Sequence, residues 1–257
     1  FENFIESNMQ QALDSQCFEM VLQPKMNLQT NSVIAAEALV RWRLEDGTYL
    51  PPSSFVDIFE KNRFCSKLDF YMLKKAIQQI RKWIDMGINP VNISVNQSKI
   101  VFYHENYISE LKSLLEEYNV SGSYITLEVL ESTVIEDIDI FNSILTEVKK
   151  LGFSVSLDDF GSGYSSLNVL SKLQIDELKI DRIFLHTKSE VDNQRTKWIL
   201  ESIIDIAKKS QILVVVEGVE SKQDDLFIKN LGADVGQGYF YGRPLSISAF
   251  NDLIETK

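Results

Sequence analysis

The chain has 257 residues, of which 44% are hydrophobic and 25% are charged, and its formal net charge is −11 at pH 7. This composition is ordinary for a soluble globular protein, and the length fits one large domain or two small ones. The acidic balance argues against a general DNA- or RNA-binding protein, which carries basic excess on at least one face. The longest aliphatic run, residues 212–216, is far too short to cross a bilayer.

The cysteines and histidines are too few and too scattered to form a metal or nucleophile site. Cys17 and Cys65 have no metal-ligand spacing, so we expect two free thiols in a reducing cytoplasm. His104 and His186 are isolated, and we interpret both as structural or surface residues. The chain begins with Phe1 and shows no signal-peptide pattern. It is consistent with a piece of a longer protein whose sensor or membrane anchor lies outside it.

The first third of the chain predicts a helix, a hairpin and two further helices. Apolar residues recur at helical spacing over 1–14, which indicates a leading helix that packs on the domain or joins an upstream one. Strand-like runs cover 18–25 and 33–42. The connection between them is short, so we expect these two strands to be antiparallel. Helical patterns follow at 53–61 and 68–83.

From residue 91 onward, short apolar strands alternate with helices. The predicted strands are 91–95, 124–130, 154–157, 178–180, 212–216 and 233–239. The predicted helices are 107–118, one containing 141–148, 167–173, one containing 198–207, 223–231 and 247–254. Repeated βα units predict a parallel sheet, and about eight of them in about 250 residues predict a (β/α)8 barrel. We therefore expect one α/β domain over 1–257, a modified TIM-type barrel with an antiparallel first strand.

Acidic and amide residues follow the ends of these strands, where such a barrel carries its active site. The motifs are EALVR (37–41), NISVN (92–96), LEVLE (127–131), LDDFGSG (157–163), LKID (178–181) and VVVEGVE (214–220). Their position at successive strand ends predicts that they line one mouth.

Four of these residues form a candidate cation site. Glu37, Asn96, Glu128 and Asp158 offer only oxygen atoms, which suits Mg²⁺ or Mn²⁺ better than zinc. Asp158 is followed by Asp159, so the first could bridge two cations while the second binds one. Two cations about 3.5–4 Å apart would activate water and clamp a phosphate. The alternative is a buried hydrogen-bond network, against which the repulsion among so many carboxylates counts.

Three further residues suit phosphate chemistry. Arg41 shares a strand face with Glu37 and Leu39 and could hold a phosphate oxygen, or it could form a structural pair with Glu37. Lys179 could hold the attacking water, or form a salt bridge to one of the acids. Glu217 could accept a proton from water or complete the second cation shell.

The segment VGQGYFYGRP (235–244) is rich in glycine and contains Gln237. Its glycines permit a close approach of the backbone, either to a substrate or in a tight closure of the barrel. Glu220 is interpreted as a supporting residue.

Taken together, the motifs resemble the EAL-domain family of cyclic di-GMP phosphodiesterases over about residues 18–250. The segments that carry the resemblance are EALVRW, SVNQS, LEVLES, DDFGSGYSSL, LKIDR, VEGVE and QGYFYGRP, in family order. The resemblance implies a barrel with an antiparallel first strand that hydrolyses cyclic di-GMP to linear pGpG in bacterial signalling. It also implies a homodimer through the barrel face that includes the DDFG loop, and it involves no DNA or RNA polymer.

The resemblance assigns roles to residues of this chain. It implies two ions of Mg²⁺ or Mn²⁺, the first held by Glu37, Asn96, Glu128 and Asp158 and the second by Asp158, Asp159 and Glu217. Glu217 would be the general base, Lys179 the contact of the nucleophilic water and Glu131 the support of the DDFG loop. The positions around the dinucleotide are Gln23, Glu37, Leu39, Arg41, Asn96, Asp181, Glu220 and Gln237.

The sequence departs from the family pattern at three positions, and none of them is a cation ligand. Ser162 replaces a threonine, Leu130 replaces another threonine, and Leu22 stands where an aromatic residue is common. Because the ligand set is complete, an active enzyme is favoured over the alternative, a non-catalytic cyclic di-GMP receptor.

Overall fold

The computed structural model describes residues 1–131, 138–161, 167–185 and 190–255. A closed barrel of eight strands forms its centre. These strands are β1 (Phe18–Asn27), β2 (Ser32–Arg43), β4 (Asn92–Asn96), β5 (Ile125–Leu130), β6 (Ser154–Phe160), β7 (Glu177–Ile180), β8 (Leu213–Val216) and β9 (Val235–Gln237). A two-residue strand that the sequence pattern does not predict, β3 (Tyr49–Leu50), pairs with the end of β2 outside the ring.

Helices cover the outside of the barrel. They are α1 (Glu2–Asp14), α2 (Val56–Lys61), α3 (Cys65–Asp85), α4 (Lys99–Phe102), α5 (Tyr107–Tyr118), α6 (Ile138–Lys150), α7 (Leu167–Lys172), α8 (Glu190–Lys209), α9 (Lys222–Leu231) and α10 (Ile247–Glu255). The limits of α9 follow from local chemistry. Ser221 and Asp224 form a reciprocal capping box at its start, and Gly232 ends it with φ 83°.

The strand pairing confirms the predicted barrel. β1 pairs antiparallel with β2 on one side and with β9 on the other. All the other neighbours in the ring, from β2 through β4 to β9, are parallel. The carboxyl ends of the seven parallel strands therefore open on one face, as the sequence argument requires.

Alternation along each strand divides the apolar and polar residues between two faces. On β5, Leu127 and Val129 belong to the hydrophobic core under the helices, whereas Glu128 between them faces the barrel interior. On β7, Leu178 and Ile180 belong to the same core, and Lys179 faces inward. The interior of this barrel is thus charged, unlike the branched aliphatic layers that usually fill such a fold.

The hairpin of β1 and β2 extends beyond the other strands at the carboxyl face. An aromatic cluster supports this extension: Trp42 lies 5.1 Å from Phe18 and 5.6 Å from Phe55, and Phe59 packs against all three rings. Phe4 of α1 stacks on Trp42 at 6.4 Å, which docks the leading helix on the same cluster.

Within the described residues, no helix is both long and apolar enough to span a membrane. Cys17 and Cys65 are free thiols, as expected. Most predicted limits agree with the structure, but β6 continues to Phe160 and β9 covers only residues 235–237. His186 lies outside the described residues.

Candidate active site

The carboxyl ends of the parallel strands bring the predicted acids into one mouth. Two groups of carboxylates have ligand oxygens within 4.8 Å of one another, and each could hold a cation. The first group is Glu37, Glu128 and Asp158, and the second is Asp158, Asp159 and Glu217. Their shared member, Asp158, is the residue for which the sequence predicts a bridging position.

Asn96 and Gln237 both hydrogen-bond to Glu37. Asn96 donates Nδ2 to Glu37 Oε1 at 3.0 Å, which leaves Asn96 Oδ1 as its remaining oxygen. Gln237 donates Nε2 to Glu37 Oε2 at 2.5 Å, and its own buried Oε1 has no hydrogen-bond partner. The site therefore contains a buried oxygen acceptor without a donor, which suits a bound ligand or cation.

Lys179 lies at the centre of the carboxylates. Its Nζ is 2.8 Å from Glu217 Oε1, 2.9 Å from Glu128 Oε2 and 3.0 Å from Asp158 Oδ1. Glu37 Oε2 is slightly more distant, at 3.5 Å. The lysine side chain is 1% exposed, so these contacts replace water almost completely. Both roles predicted from the sequence fit this position, because the ammonium pairs with the acids and also points to the mouth.

A β-bulge lets two adjacent aspartates face the same site. Neighbouring residues of a regular strand point to opposite faces. Leu157 and Phe160, three positions apart on β6, pair with two residues of β7 that are only two positions apart, so β6 contains one extra residue. Asp159 adopts a left-handed φ of 57°. The extra residue turns Asp159 toward the mouth beside Asp158. Burial, and after it the nearby carboxylate of Asp181, raise the pKa of Asp159.

The carboxyl groups are all buried in one site, yet their pKa values differ. Burial raises the pKa of Glu217 to about 8, with Asp158 and Glu37 adding to the shift and Lys179 opposing it. Burial alone would also raise the pKa of Glu128, but Lys179 and Lys25 outweigh it and lower that pKa to about 2. Burial raises the pKa of Glu37 and of Asp158 as well.

The donor set fits divalent cations. Among the described residues, the barrel interior holds two lysines, Lys25 and Lys179, against a larger number of buried or half-buried carboxylates. Two ammonium groups cannot neutralise them all, and hard cations with oxygen ligands would supply the missing positive charge. Glu37, Asn96, Glu128 and Asp158 would hold one cation, and Asp158, Asp159 and Glu217 a second.

A polar cavity of about 380 Å³ opens beside these acids. The predicted substrate-contacting residues that line it are Gln23, Glu37, Asp181, Glu220 and Gln237. Gln23 donates to the Gly242 carbonyl at 3.2 Å, and Asp181 accepts from the Ile183 amide at 2.7 Å. Glu220 is exposed at the rim.

Two further predicted residues, Arg41 and Glu131, lie around the mouth rather than within the two groups of carboxylates. Arg41 donates to the Val40 carbonyl at 2.8 Å, on the extension of the hairpin. Glu131 is buried directly after β5. Residues 162–166, which include Ser162 and the end of the DDFGSG motif, lie outside the described residues.

The glycines of 235–244 serve the closure of the barrel. A Cβ on Gly238 would collide with the Val219 carbonyl, and one on Gly236 with the ring of Tyr241. These contacts favour a tight closure of the barrel over a close approach of the backbone to a substrate. Gln237 and Tyr239 of this segment also line the polar cavity.

A second cavity of about 220 Å³ adjoins the mouth and contains an acid that the sequence analysis missed. Its walls include Leu39, Val56, Phe59 and Leu68, and Asp69 lies among them. Asp69 accepts from the backbone and hydroxyl of Ser98 at 2.8 and 2.5 Å. Burial raises the pKa of Asp69 to about 7. Asp69 lies on a helix rather than at a strand end, so the search along strand ends could not identify it.

Lys25, Ser94 and Glu177 were also missed, and they form a layer below the mouth. Lys25 Nζ is 2.7 Å from Ser94 Oγ and 2.8 Å from Glu177 Oε1 and Glu128 Oε1. A charged residue two positions after Gln23 on a predicted strand was the available signal, because both residues share one face.

Comparison with known proteins identifies the family. The model of the EAL domain matches residues 6–244. In Pseudomonas aeruginosa, the bifunctional diguanylate cyclase/cyclic di-GMP phosphodiesterase MucR is 32% identical over 93% of this chain, and the cyclic di-GMP phosphodiesterase NbdA is 33% identical over 97%. Cyclic di-GMP phosphodiesterase PdeR of Escherichia coli is 31% identical over 96%. The chain spans about a third of the length of these relatives, 34%, 32% and 37% respectively.

Comparison with solved structures supports the same family. The PaMucR phosphodiesterase in complex with c-di-GMP superposes with a TM-score of 0.88 at 32% identity, over 96% of this chain and 99% of that one. The EAL enzyme Bd1971, in its cAMP- and cyclic-di-GMP-bound form, gives a TM-score of 0.89 at 29% identity, over 98% and 69% of the two chains. With its barrel, its motifs in order and its matched length, this chain belongs to the EAL domain family.

Proposed function

We propose that this protein hydrolyses cyclic di-GMP to linear pGpG with the help of two divalent cations, Mg²⁺ or Mn²⁺. The observation that carries the proposal is the pair of carboxylate groups sharing Asp158, with Lys179 between them and Glu217 at the open side. Relatives that are named cyclic di-GMP phosphodiesterases support the same substrate.

The residues suit attack of water on a phosphodiester. Bound cations would polarise the phosphate and acidify water in the site. Glu217 lies at the open side of the site, 2.8 Å from Lys179, and would take the proton of the attacking water. Lys179 holds that water or the phosphate oxygen. The new bond joins the water oxygen to phosphorus, the P–O3′ bond breaks, and the released 3′-oxygen takes up a proton to give the linear product.

The two cavities suit the rest of the dinucleotide. Gln23, Asp181 and Gln237 line the polar one and would contact phosphate and sugar, together with Arg41 from the hairpin. The second cavity has largely apolar walls and two carboxylates, Asp69 and the exposed Glu60. A purine fits between such walls, and the N1–H and amino group of guanine are donors that a carboxylate accepts. We assign this cavity to one guanine base.

An exposed apolar stripe on α8 supports the proposed homodimer. Trp198, Ile199 and Ile206 are 58%, 52% and 37% exposed, and Ile183 before this helix is 56% exposed. Helical spacing relates five apolar residues of this helix, Trp198, Ile199, Ile203, Ile206 and Ala207. Of these five, only Ile203 and Ala207 are buried in the core. Large apolar side chains grouped on one helix face are typical of a protein interface.

We further propose that residues 1–257 act as one cytoplasmic EAL module, with α1 as its link to any upstream regulatory domain. This assignment accords with the larger size of the relatives, of which the chain covers about a third.

A direct assay tests the function. The protein is incubated with cyclic di-GMP and Mg²⁺ or Mn²⁺, and pGpG is followed by chromatography together with binding by calorimetry. We expect turnover that chelation abolishes. Glu217→Ala should lose hydrolysis by a factor of about 100 or more while binding survives, because general bases contribute at that scale.

Glu147→Ala is the matched control, since this glutamate is exposed and forms a surface salt bridge with Lys150, away from the carboxylates of the mouth. Tight binding by the unmodified protein without turnover would reject the enzyme and favour the receptor. Full activity of Glu217→Ala would remove Glu217 from the base role.

A further inference from the structure

Lys25 is a fully buried charge on β1, one layer below the mouth of the barrel. Its ammonium contacts Ser94 Oγ at 2.7 Å and one oxygen each of Glu128 and Glu177 at 2.8 Å. An ammonium group has three N–H donors, so all of them are engaged by these three acceptors. The acceptors lie on β4, β5 and β7, which fixes the position of Lys25 within the ring.

Glu128 is divided between the two lysines. Its Oε1 accepts from Lys25, and its Oε2 lies 2.9 Å from Lys179 Nζ, on the side of the clustered carboxylates. The side chain of Glu128 is 0% exposed, and its neighbours in the sheet are Asn96 and Ser156. Rotating the carboxylate to present both oxygens to the mouth would break the buried contact with Lys25.

We propose that Lys25 is a positioning residue that commits Glu128 Oε1 and so limits this ligand to one oxygen in the cation site, which favours Mg²⁺ or Mn²⁺ over Ca²⁺. The inference rests on the proposed cation site and adds a determinant of its selectivity. Ca²⁺ takes six to eight oxygen ligands and readily accepts bidentate carboxylates, whereas Mg²⁺ requires a compact octahedral shell. A carboxylate held to one oxygen therefore penalises the larger cation.

The test compares two variants that differ only at Lys25. Removing Lys25 alone would leave Glu177 buried without its counter-ion, so Glu177→Gln serves as the parent and Lys25→Met/Glu177→Gln as the test protein. Affinities for Mg²⁺ and for Ca²⁺ are measured separately by titration calorimetry at constant ionic strength, without substrate. The loss of a nearby positive charge affects two divalent cations alike, so the ratio of their affinities isolates the geometry of Glu128.

We expect the ratio to shift toward Ca²⁺ by about tenfold in the double variant, the lower end of what outer-shell partners contribute to metal affinity. A ratio equal in the two variants, with both affinities changed in parallel, would overturn the role of Lys25 and leave the cation site intact. Absence of cation binding in the unmodified protein would overturn the site itself.

A crystal structure of the unmodified protein with Mg²⁺ gives a second measurement that does not depend on the folding of the double variant. We expect Glu128 Oε1 to remain on Lys25 Nζ and only Oε2 to contact the cation. A bidentate Glu128, or one that has left Lys25, would refute the proposal.

Discussion

Glu128 and Glu217 carry the same side chain at the same mouth, yet their surroundings shift the pKa values of their carboxyl groups in opposite directions. Glu128 lies between two ammonium groups and has a pKa of about 2, whereas Glu217 has one ammonium and two carboxylate neighbours and a pKa of about 8. The first is suited to be a permanent anion and the second to exchange a proton. The number of lysines within reach is the local cause of this difference.

The raised pKa of Glu217 predicts a pH-dependent stability of the cation-free protein. The ordinary pKa is 4.5, and the folded protein raises it to about 8. The folded state therefore favours the protonated form, and the stability that this group contributes is lost as the pH rises through about 8. Glu217→Gln, which cannot ionise, should raise the melting temperature in EDTA at pH 8.5 and change it little at pH 5.

Glu220→Gln is the control for this comparison, because Glu220 is exposed three positions further along. It should leave the melting temperature unchanged at both pH values. A shift of Glu217→Gln that is equal at pH 5 and pH 8.5 would contradict the assigned electrostatics. Added Mg²⁺ should stabilise the unmodified protein more at pH 8.5 than at pH 5, because Glu217 is largely ionised at the higher pH.

At the scale of elements, single irregularities decide what the site contains. The bulge of β6 brings two adjacent aspartates, which would face opposite sides of a regular strand, side by side at one candidate cation position. The sequence shows the pair of aspartates, and their shared direction follows only from the extra residue. Strand alternation alone would have left Asp159 facing the helices.

Asp159→Asn tests the second cation position without disturbing this backbone. Asparagine tolerates the left-handed conformation of residue 159, so the change removes charge rather than shape. We expect turnover at saturating substrate to fall at least tenfold, and calorimetry to show a weaker or missing second Mn²⁺. Unchanged cation stoichiometry and activity would exclude Asp159 as a ligand.

Helix α8 carries the second prediction at this scale. Trp198→Glu should shift the protein toward the monomer in analytical ultracentrifugation, since it places a charge in the exposed apolar stripe. Met86→Glu is the matched control: Met86 is 62% exposed and follows α3, on the other side of the barrel. Equal sedimentation of the unmodified protein and Trp198→Glu would remove α8 from the interface.

At the scale of the whole molecule, the acids at the strand ends could be predicted from the sequence, because a barrel brings the carboxyl ends of all its parallel strands to one face. The antiparallel first strand followed from the short connection after residue 27. Two features could not be predicted from the sequence, the cavity around Asp69 and the contacts of Lys25. Asp69 projects from a helix into a cavity that exists only after folding, and the contacts of Lys25 join strands that are distant in sequence. The edge strand β3 is too short to carry a pattern.

The antiparallel β1 has a consequence for the order of assembly. β1 is among the first elements of the chain, yet it closes the ring by pairing with β9, and Gln23 hydrogen-bonds to Gly242, 219 positions away. The ring cannot be sealed until the last strand has been synthesised. Until then, the β1 residues Gln23 and Lys25 lie in a sheet that is not yet closed. Contacts between residues so distant in sequence slow folding. A ribosome-bound chain that lacks β9 would therefore expose a charged, open-edged sheet, and the acidic mouth would be the last part of the molecule to form.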